Sequence, residues 1–351
     1  MTMLTNSTIT LAGAMNKLIS GQHLNRDEAQ EVMGYIMRGE ATAAQIGGIA
    51  TALRMKGETR DEITGFALAM RAYSNHVVTE QTNLLDTCGT GGSGIHKFNI
   101  STSSSIIAAA AGVRVAKHGN RAMSGKTGSA DVLEALGVNI TLSPEQAAAC
   151  LNEIGIVFMF AQLYHPSLRH AAAPRRELGI RTIFNMLGPL TNPAGADRQL
   201  LGLYDRTKTE TIAEVLGDLG LKRAMVVSSH DGLDEISISA PTQISELQDG
   251  IVRTYDLTPE ELGLRRHSID AIIGGEASDN AAIIRSIMTG QEQGAYRDVV
   301  LANAGACIYM GGAVGSLIEG VQQAAAIIDS GRALAKLEQL IQTTGELGHV
   351  S

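Results

Sequence analysis

The feature that most constrains the fold is a change of pattern near residue 80. From there the 351-residue chain alternates short apolar runs with helix-length segments: "NLLDTC" precedes a helical stretch from Ser101 to Ala111, and "VRVAKHG" precedes "ADVLEAL". Strands that alternate with helices of this length form βαβ units and a mostly parallel sheet. We therefore predict an α/β domain whose central, mostly parallel sheet is flanked by helices.

The first part of the chain has a different pattern. Asn25 is followed by Glu28 and Thr59 by Glu62, which is the spacing of two capping boxes at helix N-termini. No strand-like alternation occurs before about residue 80. We predict a small helical domain over residues 1–78, and we assign the later alternating segments to the α/β domain.

Composition excludes several classes of protein. A formal charge of −8 argues against a general nucleic-acid binder, and the absence of Trp with only 3% aromatic residues leaves little for base stacking. The cysteines Cys88, Cys150 and Cys307 are odd in number and form no C-x-x-C pair. The sequence shows no secretory leader, and no apolar run approaches the ~20 residues of a membrane helix. We expect a soluble cytoplasmic protein that binds neither nucleic acid nor membrane.

Two glycine motifs suggest familiar nucleotide sites, and both fail. The glycines of "CGTGGSGIHKFNIST" satisfy G-x-G-x-x-G, but the helix begins only near Ser101, and the next strand ends with Lys117 and His118 where a dinucleotide site needs an acid. The segment "GNRAMSGKT" has five residues between its glycines, one more than a P-loop allows. We predict neither NAD binding nor an ATPase.

Two predicted loops nevertheless combine backbone N–H groups, hydroxyls and cations at the carboxyl ends of strands, where open α/β sheets bind ligands. They suit a ligand with several phosphates. Alone, Asn99, Ser101 and Thr102 are equally compatible with helix N-caps, and Lys117 and Arg121 with solvated surface charges. The first loop offers Thr90, Ser93, Lys97, Asn99, Ser101 and Thr102, and the second offers Lys117, His118, Asn120, Arg121, Ser124 and Lys126.

Two further segments carry charge suited to a phosphate-containing substrate. In "SSHDGLDEIS", Asp231, Asp234 and Glu235 form a carboxylate cluster suited to Mg²⁺, with an acidic turn as the alternative. In "APRRELG", Arg175 and Arg176 are candidates to bind a carboxylate, or else to cover an apolar surface with their stems.

In order and spacing, "GTGG", "FNIST", "KHGNR", "GSADVLEALG", "GIRTIFNMLGPLTNPA" and "DGLDEIS" closely resemble the anthranilate phosphoribosyltransferase family. The resemblance covers nearly the whole chain. It implies a fold like that of the class II nucleoside phosphorylases, in which residues 161–196 return to the helical domain and residues 79–160 and 197–351 form the α/β domain. It also implies a homodimer and Mg²⁺ as cofactor.

The resemblance also assigns site residues. Anthranilate contacts fall on Gly89, Asn120 and Arg175, and Mg²⁺ ligands on Ser101, Asp234 and Glu235. Contacts to 5-phosphoribosyl 1-diphosphate fall on Gly89, Gly92, Ser93, Lys97, Asn99, Ile100, Ser101, Thr102, Lys117, His118, Gly119, Asn120, Arg121, Ala122, Met123, Ser124, Gly125 and Ser129.

Three of these positions depart from the family's usual pattern. Ser93 stands where an aspartate is usual, Lys97 where a threonine or serine is usual, and Gly125 where a second serine is usual. The first two departures make the loop more cationic by about two charges.

The implied reaction transfers the phosphoribosyl group of 5-phosphoribosyl 1-diphosphate to the amine of anthranilate. Lys117 and Mg²⁺ would stabilise the leaving diphosphate, no protein nucleophile is needed, and His118 is a weak candidate for a base. One alternative is a class II pyrimidine nucleoside phosphorylase, which would use phosphate as nucleophile without the acidic pair. The other is a non-catalytic relative that acts as a binding protein.

Overall fold

In the computed structural model, which describes residues 9–122 and 126–349, four helices precede the first strand: α1 (Leu11–Ile19), α2 (Arg26–Met37), α3 (Ala43–Lys56) and α4 (Arg60–Ala72). Both predicted capping boxes are present. Asn25 Oδ1 accepts from the Glu28 amide at 2.9 Å, and Thr59 Oγ1 accepts from the Glu62 amide at 3.3 Å. Each glutamate accepts in turn from the amide of its cap residue. These boxes satisfy donors that have no partner inside the helix.

A seven-stranded sheet follows, in the order β3-β2-β1-β4-β5-β6-β7. Strands β1 to β5 are parallel, and β6 and β7 add an antiparallel hairpin at one end. The predicted α/β fold with a mostly parallel sheet is confirmed. The strands are β1 (Leu85–Gly89), β2 (Val115–Gly119), β3 (Ile156–Phe160), β4 (Arg198–Gly202), β5 (Arg223–Ser229), β6 (Thr242–Gln248) and β7 (Ile251–Leu257).

The remaining helices surround this sheet or return to the first four. They are α5 (Ile100–Ala110), α6 (Ser129–Leu136), α7 (Pro144–Ile154), α8 (Ala161–Tyr164), α9 (Arg169–Leu178), α10 (Ile183–Leu187), α11 (Thr209–Asp218), α12 (Ala277–Met288), α13 (Ala295–Met310), α14 (Leu317–Asp329) and α15 (Arg332–His349). In the ranges that the structure describes, no helix combines the length and apolar character needed to cross a membrane.

The buried apolar side chains form two clusters. The larger one fills the space around α5, β2, β3 and α13. The second joins the first four helices to α9, α10 and α11 through residues such as Phe66, Ala171 and Phe184. Helix α9 packs on α3, and α10 packs on α3 and α4. The chain therefore returns to the helical region in this segment. The boundaries at residues 78, 161 and 196 remain a prediction.

Strand order places the ligand-binding crevice. The chain runs outward from β1 to β2 and β3, then returns to the opposite side of β1 with β4 and β5. Parallel sheets bind ligands beyond the carboxyl ends of the strands at such a reversal. The loops that follow β1, β2 and β5 all lie at this edge.

Candidate active site

The loop after β1 is shaped by glycines that adopt a left-handed backbone. Gly91, Gly92 and Gly94 have φ of 67°, 80° and 79°, which side chains rarely tolerate. The Gly91 amide donates to Asp234 Oδ2 at 3.0 Å. The glycines of the G-x-G-x-x-G pattern therefore build a turn that reaches the acidic loop after β5, instead of opening a dinucleotide-binding helix.

The loop leads directly into α5, and Asn99 stands at the cap position without a side-chain cap bond. The side-chain Nδ2 of Asn99 donates to the Thr127 carbonyl at 3.3 Å, and its Oδ1 accepts from Asn280 Nδ2 at 3.0 Å. The N-cap alternative therefore does not explain Asn99. The Ile100 amide donates to the Phe98 carbonyl at 2.9 Å, whereas the amides of Ser101 and Thr102 belong to the first helical turn, whose donors and dipole attract anions.

Lys117 lies on β2 beside this helix N-terminus and is only 3% exposed. Its Nζ donates to the Thr87 carbonyl and to Ser101 Oγ, the latter at 3.3 Å. Both acceptors are uncharged. The solvated-surface alternative therefore fails for Lys117, and its positive charge faces the turn that begins α5.

The loop after β2 is packed so closely that its glycine is required. A Cβ at Gly119 would lie 2.3 Å from Ser129 Oγ and 2.7 Å from Phe158. Ser129 Oγ donates to the Asn120 carbonyl at 3.2 Å, which ties the loop to the start of α6. This contact fixes Asn120 beyond the carboxyl end of β2.

Arg121 in the same loop extends over α6. Its guanidinium pairs with Asp131 at 2.8 Å and with Glu134 at 2.5 Å. The Ala122 amide also donates to Asp131, at 3.1 Å. Any contact of Arg121 with a phosphate must therefore compete with two carboxylates. The predicted contacts at Met123, Ser124 and Gly125 lie outside the described residues.

The acidic pair is buried against β1 and β4. Asp234 is 1% exposed and Glu235 is 4% exposed. The Asp234 carbonyl oxygen packs against Gly202, where an added Cβ would lie only 1.9 Å from it. A Cβ at Gly89 would lie 2.8 Å from Asp234 Oδ2. Two strand-end glycines thus admit the acidic loop to the sheet edge.

Lys97 contacts both acidic residues. Its Nζ lies 2.8 Å from Asp234 Oδ1, 3.1 Å from Glu235 Oε1 and 3.3 Å from the Asp234 carbonyl. Burial opposes ionisation of Asp234, but Lys97 and the Ser93 hydroxyl outweigh it and hold the pKa of Asp234 below its usual value. Burial raises the pKa of Glu235, and Lys97 offsets this only in part.

Asp231 does not join this pair. Its Oδ2 accepts from the hydroxyls of Ser237 and Ser239, and its Oδ1 accepts from the Leu233 amide at 3.1 Å. The side chain therefore shapes its own loop. Of the three acids predicted from sequence, two face the β1 loop. In the part of the chain that the structure describes, no three His, Cys, Asp or Glu side chains gather as a metal-binding group.

Two neutral histidines lie under the β2 side of the site. The rings of His118 and His165 are 5.0 Å apart. Burial lowers the pKa of His118 to about 3 and that of His165 to about 4. Neither Nε2 has a hydrogen-bond partner among the described residues. His165 carried no signal in the sequence, because nothing local marks it as a neighbour of β2.

Arg175 is presented by α9. Its guanidinium lies 5.3 Å from the centre of the Phe184 ring, and burial lowers its pKa from the usual value. Within residues 9–122 and 126–349 it forms no ion pair, so its charge remains available for an anionic ligand.

Sequence reasoning missed Arg181, which donates to the Gly92 carbonyl and stacks 4.7 Å from the Tyr204 ring. Its only signal was its place within the "GIRTIF" motif.

Comparison with known proteins agrees with this architecture. Residues 13–74 match the helical bundle domain of a glycosyl transferase family, and residues 81–334 match the a/b domain of a glycosyl transferase family. Anthranilate phosphoribosyltransferase of Brevibacillus brevis is 53% identical over 97% of this chain and 100% of its own length. The chain belongs to the anthranilate phosphoribosyltransferase family.

Other members of the anthranilate phosphoribosyltransferase family give the same result. The Moorella thermoacetica protein is 51% identical over 94% of this chain and 97% of its own. The crystal structure of the Thermus thermophilus enzyme superposes with a TM-score of 0.90 at 43% identity, covering 94% of this chain and 99% of that one. The Saccharomyces cerevisiae enzyme, solved with PRPP and Mg, gives 0.88 at 25% identity and covers 98% and 99%. These comparisons favour neither the pyrimidine nucleoside phosphorylase nor the non-catalytic alternative.

Proposed function

We propose that this chain transfers the phosphoribosyl group of 5-phosphoribosyl 1-diphosphate to the amine of anthranilate, releasing diphosphate, in tryptophan biosynthesis. The family supports the reaction. The observation that carries it is the position of Lys117, a buried cation whose hydrogen-bond acceptors are uncharged and which also acts on the buried Asp86 carboxylate, beside the N-terminal turn of α5 at the strand reversal. A diphosphate leaving group needs this combination of fixed positive charge and free amides.

The predicted diphosphate contacts divide by element. Gly89, Gly92, Ser93 and Lys97 belong to the β1 loop and its approach, and Asn99 to Thr102 form the α5 N-terminus. Lys117, His118 and Gly119 end β2, Asn120 follows the strand, and Ser129 begins α6. We propose that Lys117 and the β1 and α5 groups bind the diphosphate and that the loop beyond β2 holds the ribose phosphate.

Asp234 and Glu235 fit Mg²⁺ as oxygen donors, because this ion takes one or two protein carboxylates and completes its shell with water and substrate phosphates. The Ser101 hydroxyl lies at the neighbouring helix N-terminus. When bound, Mg²⁺ would neutralise charge on the departing diphosphate. The protein's own contribution is to hold Lys117 and the α5 amides where that charge develops.

The acceptor amine needs orientation more than activation. We propose that Arg175 binds the anthranilate carboxylate through its planar guanidinium, with Asn120 and Gly89 on the other side of the acceptor. A neutral amine attacks first and loses its proton afterwards, so a base is not essential. With its pKa lowered to about 3 by burial, His118 is a poor proton acceptor at neutral pH.

The helical region supports the proposed homodimer. Ile19 at the end of α1 and Met55 on α3 are 71% and 84% exposed, beside a groove between these helices. Covering such an apolar groove with a second copy of the chain would remove both side chains from water.

The three cysteines are buried and unpaired, which suits the reducing cytoplasm that we propose as the location of this protein.

The test is the loss of anthranilate fluorescence on addition of 5-phosphoribosyl 1-diphosphate and Mg²⁺. We expect a magnesium-dependent decrease with release of diphosphate. Folded protein that leaves the fluorescence unchanged would overturn the proposal. Phosphate-dependent cleavage of uridine or thymidine by the same preparation would favour the phosphorylase alternative.

A further inference from the structure

The acidic pair already holds a cation of the chain's own. Lys97 Nζ contacts a carboxylate oxygen of Asp234 and of Glu235 at 2.8 and 3.1 Å. Its side chain is 17% exposed, and those of the two acids are 1% and 5% exposed. The ammonium therefore occupies the face of the carboxylates that points toward the β1 loop.

This contact makes the site different from one built around a hydroxyl. Threonine or serine at position 97 would place a neutral group near two buried carboxylates and leave about two negative charges to be balanced by a bound ion. In the free protein Lys97 balances one of them. Ser93 acts in the same direction, because its hydroxyl bonds to Asp234 whereas an aspartate there would add another negative charge.

The contact of Lys97 with Asp234 and Glu235 differs from a simple structural ion pair. One ammonium contacts two carboxylates, so these three side chains keep a net charge of about −1, which Lys117 offsets only in part from beyond ion-pair distance. Uncompensated buried charge is costly unless a further cation arrives. The cluster is therefore closed enough to exclude a loosely held ion and charged enough to accept one that displaces or moves the ammonium.

We propose that Lys97 is a built-in cation of the acidic pair, which a divalent metal must displace from Asp234 and Glu235 before it binds there. In the free protein Lys97 keeps metal affinity low. The metal then binds well only together with a diphosphate, whose oxygens supply the remaining ligands and charge. This last step rests on the proposed function, whereas the competition between ammonium and metal does not.

The experiment measures metal binding by the free protein without either substrate. Mn²⁺ is the probe, and its unbound fraction is followed by electron paramagnetic resonance. We expect Lys97→Met to bind Mn²⁺ on the order of tenfold more tightly than the unaltered chain, since an ammonium no longer competes for the carboxylates. Adding Asp234→Asn and Glu235→Gln to Lys97→Met should abolish the gain.

Two further variants guard against a misfolded or unspecific result. Lys222→Met removes an exposed lysine before β5, at the opposite edge of the sheet, and should leave Mn²⁺ binding unchanged. Lys97→Thr introduces a neutral hydroxyl and should gain affinity as Lys97→Met does. Both Lys97 variants should unfold at a lower temperature in chelator and recover on addition of Mg²⁺, whereas the unaltered chain should respond little.

The proposal is overturned if neither Lys97 variant gains Mn²⁺ affinity, or if the gain survives loss of both carboxylates. These outcomes are independent of the transferase assay. A chain that fails to consume anthranilate but shows the predicted Mn²⁺ shift would refute the proposed function and retain the role of Lys97. A chain that consumes anthranilate but shows no Mn²⁺ shift would support the proposed function and refute the role of Lys97.

Discussion

Two buried lysine–carboxylate clusters in this chain have opposite designs. In the helical region, Lys56 Nζ lies 2.9 Å from Glu62 Oε2, and the glutamate also accepts from the amides of Leu24 at 3.0 Å and Thr59 at 2.8 Å. Lys56 donates further to the Gly57 carbonyl at 2.8 Å. One positive charge meets one negative charge, and backbone groups together with His23 Nδ1, 2.8 Å from Lys56 Nζ, use the remaining bonding capacity.

The cluster at the sheet edge is not balanced in this way. Lys97 serves both Asp234 and Glu235, and the only backbone donor from the β1 loop to Asp234 is the Gly91 amide among the residues that the structure describes. The comparison separates two uses of a buried ion pair. The balanced cluster connects helices, and the unbalanced cluster keeps a negative charge that a substrate-borne cation can neutralise.

The largest expected effect comes from neutralising the unbalanced cluster. Asp234→Asn with Glu235→Gln should lower turnover at limiting Mg²⁺ on the order of 10²–10³-fold, because the departing diphosphate loses its metal-binding partners. Initial rates of anthranilate consumption across a Mg²⁺ titration measure this, with circular dichroism as the check on folding. An unchanged rate at limiting Mg²⁺ would remove both residues from the metal site.

Disrupting the balanced cluster should affect stability without affecting catalysis. Glu62→Gln leaves the buried Lys56 without its counter-charge and should lower the free energy of unfolding by about 3 kcal/mol. Urea denaturation measures the loss, and Glu260→Gln in the exposed pair with Arg266 is the matched control, for which little change is expected. A changed Mg²⁺ requirement in Glu62→Gln would break the distinction between the clusters.

The support beneath the unbalanced cluster offers a smaller effect. In Gly202→Ala the new Cβ would lie 1.9 Å from the Asp234 carbonyl, so the acidic loop must move away from the sheet. Turnover should fall about tenfold, since small displacements of charged groups weaken transition-state contacts. Gly345→Ala in α15, where a Cβ meets nothing within 4 Å, is the control and should retain full activity. Equal activity of both variants would show that the position of Asp234 is not critical.

Much of the fold was predictable because its signals are local. Capping boxes at Asn25 and Thr59 and the alternation after residue 80 depend on spacing within one segment. The hairpin of β6 and β7 was not predicted, since β7 is an edge strand in which four of seven residues are exposed and no buried apolar run occurs. Its strand character depends on pairing with β6, which sequence spacing alone does not reveal.

The site was predictable at the level of loops and less so at the level of side chains. The rule that parallel strands end at one edge brought Lys117 and Asp234 together correctly. The partners of each side chain depend on contacts between distant segments. Asp231 bonds within its own loop, Arg121 pairs with α6, and Lys97 binds carboxylates 137 and 138 residues away. No local sequence pattern indicates which partner each of these side chains has in the folded protein.

The last expected effect concerns a buried histidine that folds without charge. Burial lowers the pKa of His165 to about 4, so between this value and its unfolded value near 6.5 the unfolded chain binds the additional proton. Stability from neutral His165 is therefore complete above about pH 6.5 and is lost as the pH falls toward 4. His165→Gln should reduce the loss of unfolding free energy between pH 6.5 and pH 5 by about 1.5 kcal/mol.

Urea denaturation at the two pH values measures this difference, and His230→Gln on the surface controls for the substitution itself. If His165→Gln loses as much stability as the unaltered chain, protonation of His165 does not contribute to acid unfolding. His118, whose pKa burial lowers to about 3, would then be the next buried histidine to test by the same denaturation series.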